Sequence, residues 1–399
     1  MDETSIPRKI RLPSHVAAFR CAQCGECCTN KWRIKIDAVS FDKLCKKLAE
    51  LGRQKELEDN FISGYIAPRF RFLPNGKCPY LSDKNLCRIQ LELGGDYLFD
   101  ICKVYPRHVF ASQDALEFSL SLSCPTAVKT LQQGKITIAE TDWPIKDGQG
   151  PEFFFMQPNT IQRYYPERSP VGNPLLPYSL LEDRFIELLQ DRRSLVGPRM
   201  VALGQELGRL VPGGEPQKSD GSGNLREHLA QLFKMANIFL VNSRSPASSQ
   251  TLCQRLLPLS ADPPHPTESA KSAARPKLTL PRPDQYRQMV ERYYYSSCDV
   301  GEGILENYLV NFVLDKSFYL RPPHLAYYRM AFAYAAIVAF SVGLGISTNR
   351  TVDEQTVLQA VYDVENIFYG TWFYPYAAAT NAGKSPRQIL ERGLLLAAI

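Results

Sequence analysis

The chain has no glycine-rich dinucleotide loop. The nearest approach is Gly343-Leu344-Gly345. It lies inside an apolar helical stretch, lacks a third glycine and follows no strand, so it reads as a helix-packing pair, and a Rossmann-type cofactor site is excluded. There is no run of like charge either. The formal charge of +6 is spread along the chain, compatible with an acidic macromolecular partner but too diffuse to point to nucleic acid. The N-terminus opens acidic, Met1-Asp2-Glu3-Thr4-Ser5, without the apolar core of a secretory signal, so the expected compartment is the reducing cytoplasm. One uncharged apolar run, Ala331 to Ile346, is about 16 residues against the roughly 20 needed to cross a bilayer. Arg329 and Arg350 flank it, and a buried helix is expected rather than a membrane span. Histidine is sparse: His15, His228, His265 and His324 are isolated and take no role, and His108 reads as a hydrogen-bond donor behind a ligand.

What the chain does have is clustered cysteine. Cys21-Ala22-Gln23-Cys24-Gly25-Glu26-Cys27-Cys28 places four of the eleven cysteines within eight residues. Cys45, Cys78, Cys87, Cys102 and Cys124 follow, so nine lie in the first 124 positions. An ordinary core would scatter its thiols. Cys45 sits on the apolar stripe of a predicted amphipathic helix within Val39–Phe61 and reads as a small buried hydrophobe. Cys253 and Cys298 stand alone and read as incidental.

With 399 residues, 44% hydrophobic and 22% charged, the chain has the composition of a soluble globular protein of two to three domains. The fold class expected is mainly α, a multi-helix body with a small irregular α+β Cys-rich module. Residues 1–135 form that module, 136–243 a helical region, 244–283 a Pro/Ser-rich linker or loop, and 284–399 a C-terminal helical region packing with 136–243. Short strands are expected at Trp32–Asp37 and at Phe118–Cys124, the latter delivering Cys124. Helices are expected at 180–189, 198–210, 225–241, 284–295, 303–314, 325–346 and 351–368, with a flexible loop at 212–223.

In a reducing compartment C-x2-C spacing reads as metal binding or redox chemistry. Thiolates are soft ligands for zinc, iron or iron–sulfur clusters. The early cysteines have ferredoxin-type spacing, with Cys78, Cys87, Cys102 and Cys124 as remote partners. Eight thiolates also suffice for two four-sulfur zinc sites, and free thiols or disulfides are the third option. Gly25 eases the turn between the pairs. The doublet Cys27-Cys28 is expected to point its side chains apart.

The order C-x2-C-G-x-C-C, Cys78-Pro79-Tyr80-Leu81, Cys87, Cys102-x2-Tyr105-Pro106-Arg107 and Cys124-Pro125 resembles the YkgJ-type zinc- or iron-chelating module. With Leu305-Glu306-Asn307-Tyr308-Leu309 in a helical body behind it, the whole chain is similar to the flagellin lysine N-methylase (FliB) family. That resemblance implies a 4Fe–4S cluster on Cys21, Cys24, Cys27, Cys28, Cys78, Cys87, Cys102 and Cys124, with zinc as the alternative. It also implies methyl transfer from S-adenosylmethionine to lysines exposed on a protein such as flagellin, with neither nucleic acid nor membrane as partner. The C-x3-C-x2-C triad of radical enzymes using that cofactor is absent, so polar transfer with the cluster as a positioning element stays open.

Lysine methylation needs an aromatic slot and a proton acceptor. Tyr105, Phe118, Tyr308 and Tyr293-Tyr294-Tyr295 are candidates for the slot, and Asp100, Glu117 or Glu306 for the base. Arg107 is the candidate for a cofactor carboxylate or a negatively charged cluster, which makes Tyr105, Arg107 and Glu306 the catalytic set. Two other classes compete: a non-enzymatic zinc- or iron-binding module that docks a protein, and an iron–sulfur electron-transfer protein.

Overall fold

The computed structural model describes residues 9–29, 36–64, 68–111, 115–142, 162–163, 178–209, 225–242, 246–261, 278–295, 301–315, 318, 322–368 and 383–397. The chain is mainly α-helical. It divides into two compact units, one of Met1–Thr130 with Thr137–Tyr165, the other of Leu131–Ile136 with Pro166–Ile399.

The first unit runs β1 (Lys9–Pro13), α1 (Ser14–Ala18), α2 (Glu26–Thr29), α3 (Ala38–Glu50), α4 (Lys55–Asn60), β2 (Phe61–Ile62), β3 (Arg69–Phe70), α5 (Arg88–Leu93), α6 (Asp100–Val104), β4 (Arg107–Ala111), β5 (Ala115–Leu120), α7 (Pro125–Lys129), β6 (Ile138–Asp142) and β7 (Gln162–Arg163). Five strands form a sheet in the order β6-β1-β5-β4-β7. β5 lies in its middle, parallel to β1 and antiparallel to β4, and all six of its residues are buried. Apart from the sheet, Phe61 and Phe70 of the β2–β3 ladder stack at 5.1 Å. Phe41 and Phe99 meet Phe61 edge-on, an arrangement worth about 0.5–1.5 kcal/mol per pair beyond burial. Leu44, Leu48, Tyr80 and Ile89 complete this core. Asp37 begins α3 and also ties it to α6: its carboxylate accepts the Ser40 N–H at 2.7 Å and the Asp100 N–H at 3.1 Å.

The second unit contains α8 (Tyr178–Leu189), α9 (Val196–Arg209), α10 (Leu225–Asn242), α11 (Pro246–Leu256), α12 (Pro283–Tyr293), α13 (Glu302–Leu314), α14 (Pro323–Thr348), α15 (Glu354–Phe368) and α16 (Pro386–Ala397). Its axis is α14, which packs against α9, α11, α12, α13, α15 and α16. By length and composition α14 could cross a membrane, but most of its apolar stretch is buried in the fold, as expected of a helix apolar on every side. The glycine pair acts in this packing. A Cβ on Gly343 would collide with the Arg255 carbonyl of α11, and one on Gly345 would come within 2.9 Å of the Arg350 carbonyl.

The helices expected from apolar spacing are present, with shifted ends. The segment expected as a linker over 244–283 instead holds α11 across Pro246–Leu256, followed by a 3₁₀ turn at Leu257–Leu259. Leu252, Leu256 and Leu259 are fully buried; their four- and three-residue spacing is a helical stripe hidden by a Pro- and Ser-rich composition. Residues 262–277 lie outside the described residues, as do Trp32–Lys35 of the expected strand, the expected loop at 212–223, His265 and Cys298.

Candidate metal centre

The thiols of the first unit are brought together by backbone contacts between short elements. Gly25 turns the chain at φ +76°. A Cβ there would lie 2.8 Å from the Asn85 carbonyl and 2.9 Å from the Asn85 Cβ, so glycine serves both the left-handed turn and a close approach. That contact sets the start of α2 against the turn at Ser82–Leu86, which is closed by Asn85 N–H to Ser82 and Ser82 N–H to Leu86. The Cys78 N–H donates to the Cys28 carbonyl at 2.8 Å, and Cys87 bridges to Leu81.

Cys28 is the hub of an interior group. Its Sγ lies 3.9 Å from that of Cys27. This corrects the expectation that the doublet diverges. Successive residues on a helix differ by about 100° rather than by the strand's half-turn, and α2 is helical, so both sulfurs reach the same side. A hydrogen bond from Cys27 lowers the Cys28 thiol; one with Cys78 and burial more than reverse this, and the thiol is pushed up to about 12. The contact with Cys28, together with burial, raises Cys27 further. Burial raises Cys102, and Cys28, Cys87 and Cys27 add to it. Burial raises the Cys87 thiol, while the nearby backbone N–H groups of Gln90 and Ile89 draw it down. Cys78 is part of the aromatic core, and Cys28, Cys87 and Cys102 pack on its edge.

Cys21, Cys24 and Cys124 fall outside this group. Cys21 and Cys24 are exposed and Cys124 is buried. The strand expected to deliver Cys124 ends at Leu120. Ser121–Cys124 form a turn closed by Cys124 N–H to the Ser121 carbonyl. Pro125, in the first turn of α7, is pre-set for a helix start. Burial raises the Cys124 thiol, while N–H groups of Ala127 and Thr126 draw it down.

Thiols crowded in one small unit are candidate ligands for a soft metal. The described cysteines are all free thiols. Among the described residues, no three ligating side chains stand close enough to grip a single ion.

The other candidates have partners of their own. The Tyr105 hydroxyl meets Ser123 Oγ at 3.1 Å, and Ser123 meets Ser121 at 2.8 Å. Sequence reading missed this hydroxyl chain, although alternation of serine and leucine over 119–123 marked it. Arg107 Nη2 donates to the Phe19 carbonyl at 3.3 Å, with its guanidinium 4.9 Å from the Phe19 ring centroid. Asp100 opens α6, with Lys103 Nζ at 3.7 Å. Glu117 is buried in β5, and His108 stands on β4 beside Phe110.

Glu306 lies in the second unit as part of a buried ion pair. Arg199 Nη1 donates to it at 2.7 Å and Arg192 Nη2 at 2.9 Å; Glu306 is 1% and Arg199 5% exposed. Its neighbour Asn307 clamps the 131–136 segment, accepting the Ile136 N–H and donating to the Leu131 and Gly134 carbonyls. Leu305, Tyr308 and Leu309 are core, and the Tyr308 hydroxyl donates to Glu365 at 2.8 Å. The 305–309 stretch thus organises the helical unit. The candidate slot aromatics are divided: Tyr105 and Phe118 belong to the first unit, and Tyr293, Tyr294, Tyr295 and Tyr308 to the second.

No protein-family model and no solved structure matches the chain. Among known proteins, it is 32% identical over 126 residues to the flagellar biosynthetic protein FliU of Salmonella muenchen, covering 28% of this chain and 70% of that protein. It is 31% identical over 124 residues to the lysine-N-methylases of Salmonella typhimurium and Salmonella choleraesuis, covering 28% of this chain but only 30% of each of them. With two thirds of FliU spanned at this identity, the chain belongs to the family of the flagellar biosynthetic protein FliU, and the lysine-N-methylases are its partial relatives.

Proposed function

We propose that this chain is a cytoplasmic protein-lysine N-methyltransferase that takes its methyl group from S-adenosylmethionine. Its substrate is a flagellar protein, flagellin first, with exposed lysines, and its thiol-rich unit holds a 4Fe–4S cluster. The likeness to proteins named lysine-N-methylase carries this reading. The grouping of Cys27, Cys28, Cys78, Cys87 and Cys102 in one small unit supports the cluster.

In the transfer, the lysine amine forms an N–C bond to the methyl group as the sulfonium C–S bond breaks. The thioether leaves with the electron pair, and the amine loses one proton. The amine must be deprotonated before attack, so an aromatic slot that strips water from the lysine stem assists. Tyr105 is proposed to line that slot and Arg107 to meet the cofactor carboxylate. A bound cluster supplies iron able to hold the amino and carboxylate groups of the methionine moiety.

One observation favours a second reading. The Cys27–Cys28 separation of 3.9 Å is near the edge of about 3.8 Å expected for a tetrahedron of ~2.3 Å Zn–S bonds. On that reading the interior thiols hold zinc and the unit docks a protein without catalysing a reaction. Anaerobic purification with iron, sulfide and zinc counted separates the two. About four irons and four sulfides per chain, a broad band near ~400 nm and a spectral change on adding S-adenosylmethionine support the methylase. A colourless protein carrying only zinc supports docking.

A further inference from the structure

Tyr293-Tyr294-Tyr295 ends α12, and the fold gives each ring a different place. Tyr293 anchors the helix end. Its carbonyl accepts the Val352 N–H at 2.8 Å, and a Cβ on Gly345 of α14 would come within 3.3 Å of its ring. It also carries a cation already: the Arg292 guanidinium lies 5.3 Å from its ring centroid. Tyr294 turns inward and is buried. A Cβ on Gly301 would lie 3.0 Å from its hydroxyl and 3.2 Å from Val357 Cγ2 of α15. Gly301 therefore lets the chain pass close to Tyr294, and the next residue, Glu302, opens α13 beside it. Tyr295 stands at the surface, 36% exposed. Its ring is perpendicular to that of Tyr294, with centroids 5.7 Å apart and planes at 86°.

Two rings at right angles make a corner, and a carboxylate stands at its side. Glu302 is fixed in place: Oε2 accepts the Val196 N–H at 2.6 Å, with Arg199 Nη2 at 3.9 Å. Burial raises the Tyr294 and Tyr295 hydroxyls, and the Glu302 charge raises both further. Behind the corner, Tyr286 lies on the same buried face of α12 as Tyr294, about two helical turns earlier. Its hydroxyl is fully buried and makes no hydrogen bond among the described residues, a state that costs free energy until a polar group reaches it. Aromatic faces beside a carboxylate attract a cation, and alkylated ammonium groups fit such faces well.

We propose that the corner of Tyr294 and Tyr295, closed by Glu302, binds the methylated side-chain ammonium of a lysine, with its methyl groups on the rings and its remaining N–H on the carboxylate. The site holds a methylated lysine and does not carry out the transfer. That the ligand is this protein's own product rests on the methyltransferase reading; the binding site itself does not.

The test titrates the full chain, carrying ring-labelled tyrosine, with Nα-acetyl-Nε-dimethyl-lysine amide and follows the tyrosine signals by NMR. Signals lost in Y294F and in Y295F assign the two rings, and the expected result is a saturable shift of both. Tyr295 is exposed, so Y295A folds. It should bind the probe about two- to thirty-fold more weakly, the range of one cation–π contact. Y295F keeps the ring and should stay within about two-fold of wild type. E302Q, whose amide oxygen can still accept the Val196 N–H, should also bind more weakly. The neutral analogue, with a carbon in place of the charged nitrogen, should not bind. Equal binding of that analogue, wild-type affinity in Y295A, or no saturable shift in wild type would overturn the site. A chain that binds the probe yet transfers no methyl group to any lysine would end the methyltransferase reading and leave this site standing.

Discussion

The sulfur of Cys27 lies 3.9 Å from that of Cys28, its neighbour in sequence. Both residues lie in the short helix α2, where successive side chains are about 100° apart. Cys28 also meets Cys78 through both backbone and thiol, so it is the interior thiol with the most partners. Cys28→Ser is expected to empty the interior centre. Loss of a group behind a ligand already costs about 10–100-fold in metal affinity, and loss of the hub ligand should cost more. Cys45→Ser, on α3, should leave metal content unchanged. Metal analysis of the two variants purified side by side checks this.

Asp37 joins two helices, and its effect depends on pH. Burial pushes its carboxyl up, but the Ser40 and Asp100 N–H groups outweigh that and hold it below its ordinary value. A carboxyl lowered on folding adds stability above its unfolded pKa and loses it as pH falls through the folded pKa. Asp37→Ala should cost about 0.5–2 kcal/mol per cap at neutral pH. Asp37→Asn, with one carbonyl oxygen for two N–H donors, should cost less. Urea unfolding at neutral pH and at about pH 3 should show the gap between wild type and D37A narrowing in acid; a gap independent of pH would contradict the assignment.

Glu306 is held by Arg199 and Arg192. Removing one partner of a buried pair strands the other charge, at about 3–5 kcal/mol. Glu306→Ala is therefore expected to lower the denaturant midpoint sharply. Glu306→Gln should lower it less and leave methyl transfer per folded molecule unchanged. A folded E306Q without activity would return the carboxylate to the list of proton acceptors.

At the α11–α14 crossing, Gly343 faces the Arg255 carbonyl with no room for a methyl group. Gly343→Ala should destabilise the helical unit by about 1–3 kcal/mol, the cost of overpacking, despite alanine's better helix propensity. Thermal unfolding followed by circular dichroism measures it. An unchanged or raised midpoint would show that the helices separate at little cost.

The helical unit was legible where apolar residues recur at helical spacing, as in α9 and α15, and where they run unbroken, as in α14. It was illegible at α11, where Leu252 and Leu256 are diluted by serine and proline. The cysteines announce themselves by density, but their division does not follow sequence order. Cys24 and Cys27 part company because Phe19 is tied to Arg107 on one side while Cys28 is tied to Cys78 on the other, and those long-range contacts leave no local pattern. Asp37 was missed for the same reason: Asp-x-x-Ser marks one cap, and nothing nearby marks the second helix at Asp100. In the 305–309 stretch the contacts of Glu306 with Arg199 and of Asn307 with the Leu131 carbonyl are long-range and leave no local pattern either.

The most direct measurement is methyl transfer itself. Metal-replete full chain and its C28S variant would be incubated anaerobically with flagellin and tritiated S-adenosylmethionine, and the flagellin hydrolysed for amino-acid analysis. Tritium in methyl-lysine with wild type, and little with C28S, is the expected result. Iron-replete wild type that labels no lysine, on flagellin or on any protein of a flagellated cell lysate, would contradict the methyltransferase reading.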